Sequence, residues 1–268
     1  MTANRWTSRD AIIKALLGAY TWLVVGFILL PLIVIGVMSF TPGEFMEFPP
    51  QGVSLRWYGE FFSSLTWLTA MQNSLLIATI SALGATSIGG TAAFALDRYD
   101  YRFDWAFTGV AVLPTLLPPV IVGVAFVIFF GAIGVGGQLW TLAVAHSIFF
   151  APFPFILVSQ GLDDVDRTYE EAARDLGSQP LTVIRTVTLP LLRANVFAGA
   201  IFAFILSLNE YIISWLISGF SFQTIPIQIF TSLRYTYSPV IAAVSLIFIV
   251  ATFVLMTAVD RMTGGVWD

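Results

Sequence analysis

Glu210 is the one carboxylate set well inside an apolar run of this chain. Ser207 stands three residues before it and Ser214 four after, Asn209 adjoins it, and Ser218 continues the spacing. On a helix those offsets share one face. A charge in the hydrocarbon costs about 2.5–3.5 kcal/mol, so such a residue faces a polar cavity or a partner. Two kinds of chemistry fit. The stripe can line a path and draw a cationic group. Alternatively, the carboxylate is structural, bonded to a neighbouring helix or reaching for the interface, since serine stripes also serve helix packing.

A second group lies in the charged stretch 163–193. It runs Glu170, Glu171, Ala172, Ala173, then Gly177, then Val187, Leu189 and Pro190. The acids favour the start of a helix. Gly177 can take a positive φ and end it. Pro180 can open the next helix, because proline is tolerated in a first turn. The expectation is a compact knob of two short helices joined at Gly177. The small side chains of Ala172 and Ala173 let a partner's groove come close.

Other chemistries are excluded by composition. There is no cysteine, so disulfides, zinc thiolates and thiol nucleophiles are absent. His146 is the only histidine, with no acid near it in sequence. No metal site is expected there; packing or an interhelix hydrogen bond is. No G-x-x-x-x-G-K-[ST] loop exists, and Lys14 is the only lysine, so this chain is not itself an ATPase. A membrane-bound enzyme would need a catalytic constellation that one His and one buried acid do not supply. The net charge of −4 gives no sign of nucleic-acid binding.

The elements that must carry these residues are membrane helices. The chain is 57% hydrophobic and 10% charged, against about 25% charged in a soluble domain. A span needs roughly 20 apolar residues. Six are predicted. Span one is 15–40, too long for a signal peptide and without a cleavage site after it. Span two is 71–96, followed by a charged link at 97–104. Residues 105–162 hold no Asp, Glu, Lys or Arg, and Gly131, Gly134, Gly136 and Gly137 divide them into spans three and four. Spans five and six are 194–216 and 239–259. The segments are then a tail at 1–14, span one, an extracytoplasmic segment at 41–66, a core at 67–260 containing the loop 163–193, and a tail at 261–268.

With the N-terminus inside, only Arg56 and Arg234 of the 12 Lys and Arg fall outside. The positive-inside rule therefore puts both termini and the loop 163–193 in the cytoplasm. Glu210 lies about 24 Å along its helix from Ala194, at about 1.5 Å per residue, in the outer half of the membrane.

The run Glu171-Ala172-Ala173, then Gly177, Val187, Leu189 and Pro190, resembles the EAA loop of type I ATP-binding-cassette importer permeases. Val187 stands where Ile is usual. Asn73-Ser74-Leu75 resembles the entry to their transport core. The resemblance implies an all-α polytopic inner-membrane permease with no cofactor of its own, ATP and magnesium being bound by a partner ATPase. It implies that a dimer of that ATPase grips the loop through Glu170, Glu171, Ala172, Ala173, Gly177, Val187, Leu189 and Pro190. One loop per chain implies a second permease subunit, a homologous B-type chain. A solute-binding protein on the outer side and membrane lipids complete the partners. The stretch 208–214, with 225–229 and Ser238-Pro239, resembles the C-subunit permeases of spermidine/putrescine importers. That family typically carries paired Asp where Asn209 and Glu210 stand. A polyamine cargo is implied, with opines, phosphonates or other amine-bearing metabolites as alternatives, and Ser207, Asn209, Glu210 and Ser214 on its path. A secondary transporter is the alternative outside the family; it would favour internal repeats, which the sequence lacks.

Three further expectations concern packing. Pro114, Pro118 and Pro119, and Pro152 and Pro154, should bend spans three and four. Ala85 and Gly89 should mark a helix contact. Trp57, Tyr58, Phe61, Phe62 and Trp67 should form an amphipathic surface helix anchored by interfacial aromatics.

Overall fold

Proline and glycine decide where the apolar runs stop being one helix. The computed structural model describes residues 8–99, 102–219 and 221–262, and every regular element among them is helical. Residues 1–7 and 263–268, hence Arg5 and both chain ends, lie outside the described residues, as do 100 and 101 of the charged link. The first helices are α1 (Ser8–Met38), α2 (Arg56–Ser63) and α3 (Leu65–Arg98). At 34 residues, α3 is about 51 Å long.

The uncharged run 105–162 is four helices rather than two. They are α4 (Asp104–Leu116), α5 (Pro119–Ala132), α6 (Leu139–Phe150) and α7 (Pro152–Asp164). The glycine cluster does separate α5 from α6, with Gly134 and Gly137 at φ of +73° and +74°. Proline makes the other two breaks. α4 and α5 meet at 100°, α6 and α7 at 41°. Pro119 and Pro152 each open a helix, and Leu117 and Pro118 before the sharper bend are extended. Pro114, inside α4, makes no break.

The chain continues with α8 (Thr168–Asp175), α9 (Pro180–Val183), a π turn at Ile184–Thr188, α10 (Leu189–Asn209), α11 (Ile212–Ser218), α12 (Ile225–Tyr235) and α13 (Val240–Met262). Two sequence expectations change here. The second helix of the knob is not separate: α9, the π turn and α10 run on as one stretch, Pro180–Asn209. Span five does not continue to residue 216, because Glu210 is extended and the helix ends before it. Among the described residues, four helices are long and apolar enough to cross a membrane, and the number is six if each bent pair is one span.

The chain divides into two compact units, one with the residues up to Ser63 and Ser232–Ile249, the other with Ser64–Thr231 and the residues from Val250 onward. In the first, Trp57 Nε1 donates to Thr41 O at 2.8 Å and Tyr58 shares a 2.7 Å hydrogen bond with Ser39. Trp57 and Phe61 are buried in protein, as is Trp67 in the second unit. These three are packing residues rather than the expected interfacial anchors; Phe62 remains exposed.

In the second unit α3 is the central helix. Its buried stripe holds Ser74, Ala78, Ser81, Ala82, Ala85, Gly89 and Ala93. Small residues let backbones approach, which is how helices gain contact energy in lipid. A Cβ on Gly89 would collide with Ala151 O, so α3 rests against the α6–α7 break. Ser81 Oγ donates to Ala143 O of α6 at 3.2 Å. Gly199 of α10 lies close on Pro154 of α7, its Cβ position 2.8 Å from the proline Cα.

Candidate functional site

Two polar clusters sit at the two ends of α10. The first begins with the turn after α8. Gly177 has φ +86°. Its N–H donates to Arg174 O at 2.8 Å, and Ser178 N–H reaches back to Ala173 O at 3.1 Å. That pair of bonds is the Schellman ending of a helix, and the positive φ it needs is why glycine stands there. The knob therefore has a built tip. Leu176, beside the glycine, is 89% exposed, and Tyr169 and Leu181 are exposed with it. Glu171, Ala172, Gly177, Leu189 and Pro190 are exposed, while Ala173 and Val187 are half-buried. Tyr169, Thr186, Val187, Pro190 and Leu191 line a cleft of about 290 Å³.

Glu170 points the other way. It is the only buried residue of α8. Both its oxygens accept from the Arg98 guanidinium in a bidentate pair. Thr188 Oγ1 donates to Glu170 Oε1 at 2.5 Å, and Arg174 Nη2 lies 3.9 Å from Oε2. Arg167 Nη2 adds a second tie, donating to Asp97 Oδ1 at 3.0 Å and to Asp97 O at 3.1 Å. Burial pushes the Glu170 carboxyl up, but hydrogen bonds from Arg98 and Thr188, with the Arg98 charge, outweigh it and hold the group below its ordinary range. Among the candidate residues of the loop, Glu170 is thus a ligand of the fold rather than part of its exposed surface. Arg98 and Thr188 were not singled out by sequence reasoning. Nothing local marks Arg98, which lies 72 residues away.

The second cluster forms where the fifth span breaks. Glu210 leaves the helix, turns back on the start of α11 and accepts from Ile213 N–H and Ser214 N–H, both at 2.8 Å. Ser214 Oγ donates to Glu210 Oε2 at 3.0 Å. His146 of α6 completes the cluster. Its Nε2 lies 3.3 Å from Glu210 Oε2 and 3.4 Å from Ser214 Oγ, and its Nδ1 lies 2.8 Å from Ser207 Oγ. With Nε2–H donating to the carboxylate, a neutral ring accepts the Ser207 proton at Nδ1. His146 is fully buried and the Glu210 side chain is 8% exposed.

Ser207, Glu210 and Ser214 are therefore brought together, though not by a shared helix face. The helix ends between them, and a carboxylate capping the following helix makes them converge. A negative charge suits that position, since the helix N-terminus carries unpaired N–H groups and a positive partial charge. Asn209 stays apart, exposed, with Nδ2 donating to Ile205 O at 2.8 Å. Ser218 is buried at the end of α11. The expectation of an interhelix hydrogen bond at His146 is met. The sequence missed its partner, because Glu210 is 64 residues further on.

The clusters also orient the core. Asp97 and Arg98, ending α3, meet the loop that follows α7, so the chain crosses between them an even number of times. At the other end of α3, Asn73 Nδ2 donates to Gln223 O at 2.9 Å and Ser74 Oγ accepts from Ile225 N–H at 2.8 Å. The segment after α11 therefore lies at the opposite side from the knob.

Comparison with known proteins gives one consistent result. Residues 85–265 match the family described as the binding-protein-dependent transport system inner membrane component. The chain is 29% identical over 245 residues to the spermidine/putrescine transport system permease protein PotC of Haemophilus influenzae, covering 91% of this chain and 95% of that protein. It is 33% identical over 233 residues to the putrescine transport system permease protein PotI of Escherichia coli, covering 83% and 82%. Among solved structures, a chain of a bacterial ABC transporter involved in import of the acidic polysaccharide alginate superposes with a TM-score of 0.72. The identity there is 17%, over 97% of this chain and 99% of that one. A chain of the inward-facing MetNI methionine ABC transporter gives 0.63 at 17% identity, over 74% and 94%. At that identity the likeness is one of fold, the fold of type I importer permeases.

Proposed function

We propose, for a chain that belongs to the family of binding-protein-dependent transport system inner membrane components, that it is half of a membrane pathway whose α8–Gly177–α9 knob docks a separate ATPase. One observation carries this reading. In a charged loop outside the apolar spans, Leu176 is 89% exposed at the Gly177 turn, and Tyr169 and Leu181 of the same loop are exposed too. Exposed large apolar side chains gathered in a charged segment suit an interaction surface. Glu171 and the small Ala172 are exposed on the same helix. ATP and magnesium belong to the partner, and this chain supplies no catalytic group.

The partners are then an ATPase dimer, a second permease chain of the homologous B type, an extracytoplasmic solute-binding protein and the lipid of the inner membrane. The knob and both termini face the cytoplasm. The positive-inside count supports this, because Arg98, Arg167 and Arg174 all gather at the knob end. Residues 67–260 form the transport core. The cargo is a polyamine, a reading supported by relatives named as spermidine/putrescine and putrescine permeases. Ser207, Asn209, Glu210 and Ser214 stand at the break in the fifth span, where the path passes. The neutral Asn209, with the Glu210 carboxylate already engaged by α11, favours a second reading in which another amine-bearing metabolite is carried.

The test is assembly. Glu171→Lys puts the wrong charge on the exposed face. Gly177→Pro forbids φ +86° and removes the N–H that bonds Arg174 O. Both variants should insert in the membrane, lose co-purification with the ATPase and lose uptake. Uptake driven by an ion gradient alone, indifferent to both changes, would sink the reading.

A further inference from the structure

A lever that is only docked at its tip does no work unless its base is fixed to what must move. No apolar side chain of α8 is buried: Tyr169, Glu171, Ala172, Arg174 and Asp175 are exposed, Ala173 is half-buried, and Glu170 alone is buried. The buried tie of α8 to the membrane helices is therefore polar. Arg98 is the last residue of α3, and Thr188 is the last of the π turn that leads into α10. Glu170 takes hydrogen bonds from both. The Arg98 pair is bidentate, which fixes angle as well as distance. Thr188 is fully buried. The Arg167 tie to Asp97 secures the start of α8 to the same end of α3.

We infer that Glu170 is a positioning residue that transmits movement of the docked knob to α3 and α10 together, while itself touching no ATPase. The inference rests on the docking reading above. It assigns the two neighbouring acids opposite duties: Glu171 faces the partner, and Glu170 ties the partner's foothold to the helices. Because α9, the π turn and α10 are continuous, a pull on Thr188 acts directly on the helix that ends at Glu210. A π turn lies on that path, at Ile184–Thr188, and such i→i+5 turns inside helices are rare and frequent at functional sites. Arg98 does the same for α3, on which α6, α7 and α10 all pack.

The experiment uses the full importer in proteoliposomes, with its ATPase, second permease and binding protein, and a radiolabelled polyamine as probe. Glu170→Gln and Arg98→Gln should keep the ATPase bound through purification. Uptake should fall by roughly ten-fold, the size of an ordinary coupling between sites. The ATP hydrolysed per molecule imported should rise by a similar factor. The charge-reversed pair Glu170→Arg with Arg98→Glu should recover part of that loss, which neither single reversal does. A merely structural role predicts otherwise: uptake, bound ATPase and melting temperature would fall together, with the ratio of ATP to cargo unchanged. That outcome overturns the inference, as does full uptake in Glu170→Gln. Loss of the ATPase from Glu170→Gln, as from Glu171→Lys, would make Glu170 a docking contact and also overturn it. If Glu171→Lys keeps both ATPase and uptake, the docking reading itself has failed, whatever Glu170 does.

Discussion

The two ends of α10 carry the same chemistry in opposite settings. At one end Glu170 is tied to Arg98 and Thr188, outside the apolar spans. At the other, roughly 33 Å along the helix at about 1.5 Å per residue, Glu210 is tied to His146, Ser214 and the start of α11. Both are single buried carboxylates whose oxygens are filled by hydrogen bonds. They differ in what they hold. Glu170 joins three separate elements through a charge pair, so its work is between elements. Glu210 is occupied mainly by backbone N–H groups three and four residues ahead, so its work is to keep a helix broken and to aim α11. A charge partner makes a joint; a backbone partner makes a corner.

Replacing the corner should have the larger effect on stability. Glu210→Gln keeps one acceptor but turns the other oxygen into a donor facing the N–H of Ile213 or Ser214. A loss of roughly 3 kcal/mol is expected, since charge-assisted hydrogen bonds contribute roughly 1.5–3 kcal/mol each. Thermal unfolding of the detergent-purified assembly measures it. The ATPase should stay bound while polyamine uptake drops, whereas Glu171→Lys should lose both. An unchanged midpoint would show that the carboxylate does not cap α11, and the two ends of α10 would no longer differ in kind. His146→Leu should cost less, roughly 1–2 kcal/mol, because Ile213 and Ser214 N–H keep their acceptor and the losses are the contacts to Ser207, to Ser214 Oγ and to one carboxylate oxygen. A midpoint lower than that of Glu210→Gln would move the centre of this cluster from the carboxylate to the ring.

How much of this could be read from the chain alone follows the same division. The knob was legible because its determinants are local. Gly177 requires a positive φ, Pro180 opens a helix, and the spacing from Glu171 to Pro190 spans twenty residues. The number of spans was legible from composition, and the prolines pointed to bends, though not to one of 100°. The inward turn of Glu170 was not legible, because its partner Arg98 looks in sequence like any cytoplasmic flanking arginine. Nor was the break at Glu210. No proline or glycine marks it, and 194–216 reads as one apolar run. The break exists because a side chain from α6 and two backbone donors outbid one more helical turn, and that competition is settled only by packing.

The smallest effect sharpens the comparison at the joint. The Glu170 carboxyl is held below the ordinary carboxylate range once its hydrogen bonds outweigh burial. A group depressed on folding contributes stability that is fully present above its unfolded pKa, about 4.3 for Glu, and lost as pH falls through the folded value. Arg98 stays charged throughout. The difference in melting temperature between the parent assembly and Glu170→Gln should therefore be flat from pH 8 to pH 6. It should begin to shrink only near and below the ordinary Glu value. A difference that collapsed between pH 8 and 6 would require a carboxyl half-protonated near neutrality, which a bidentate guanidinium and a hydroxyl donor oppose. The tie between knob and helices would then be a neutral hydrogen bond, too weak in geometry to separate the joint from the corner.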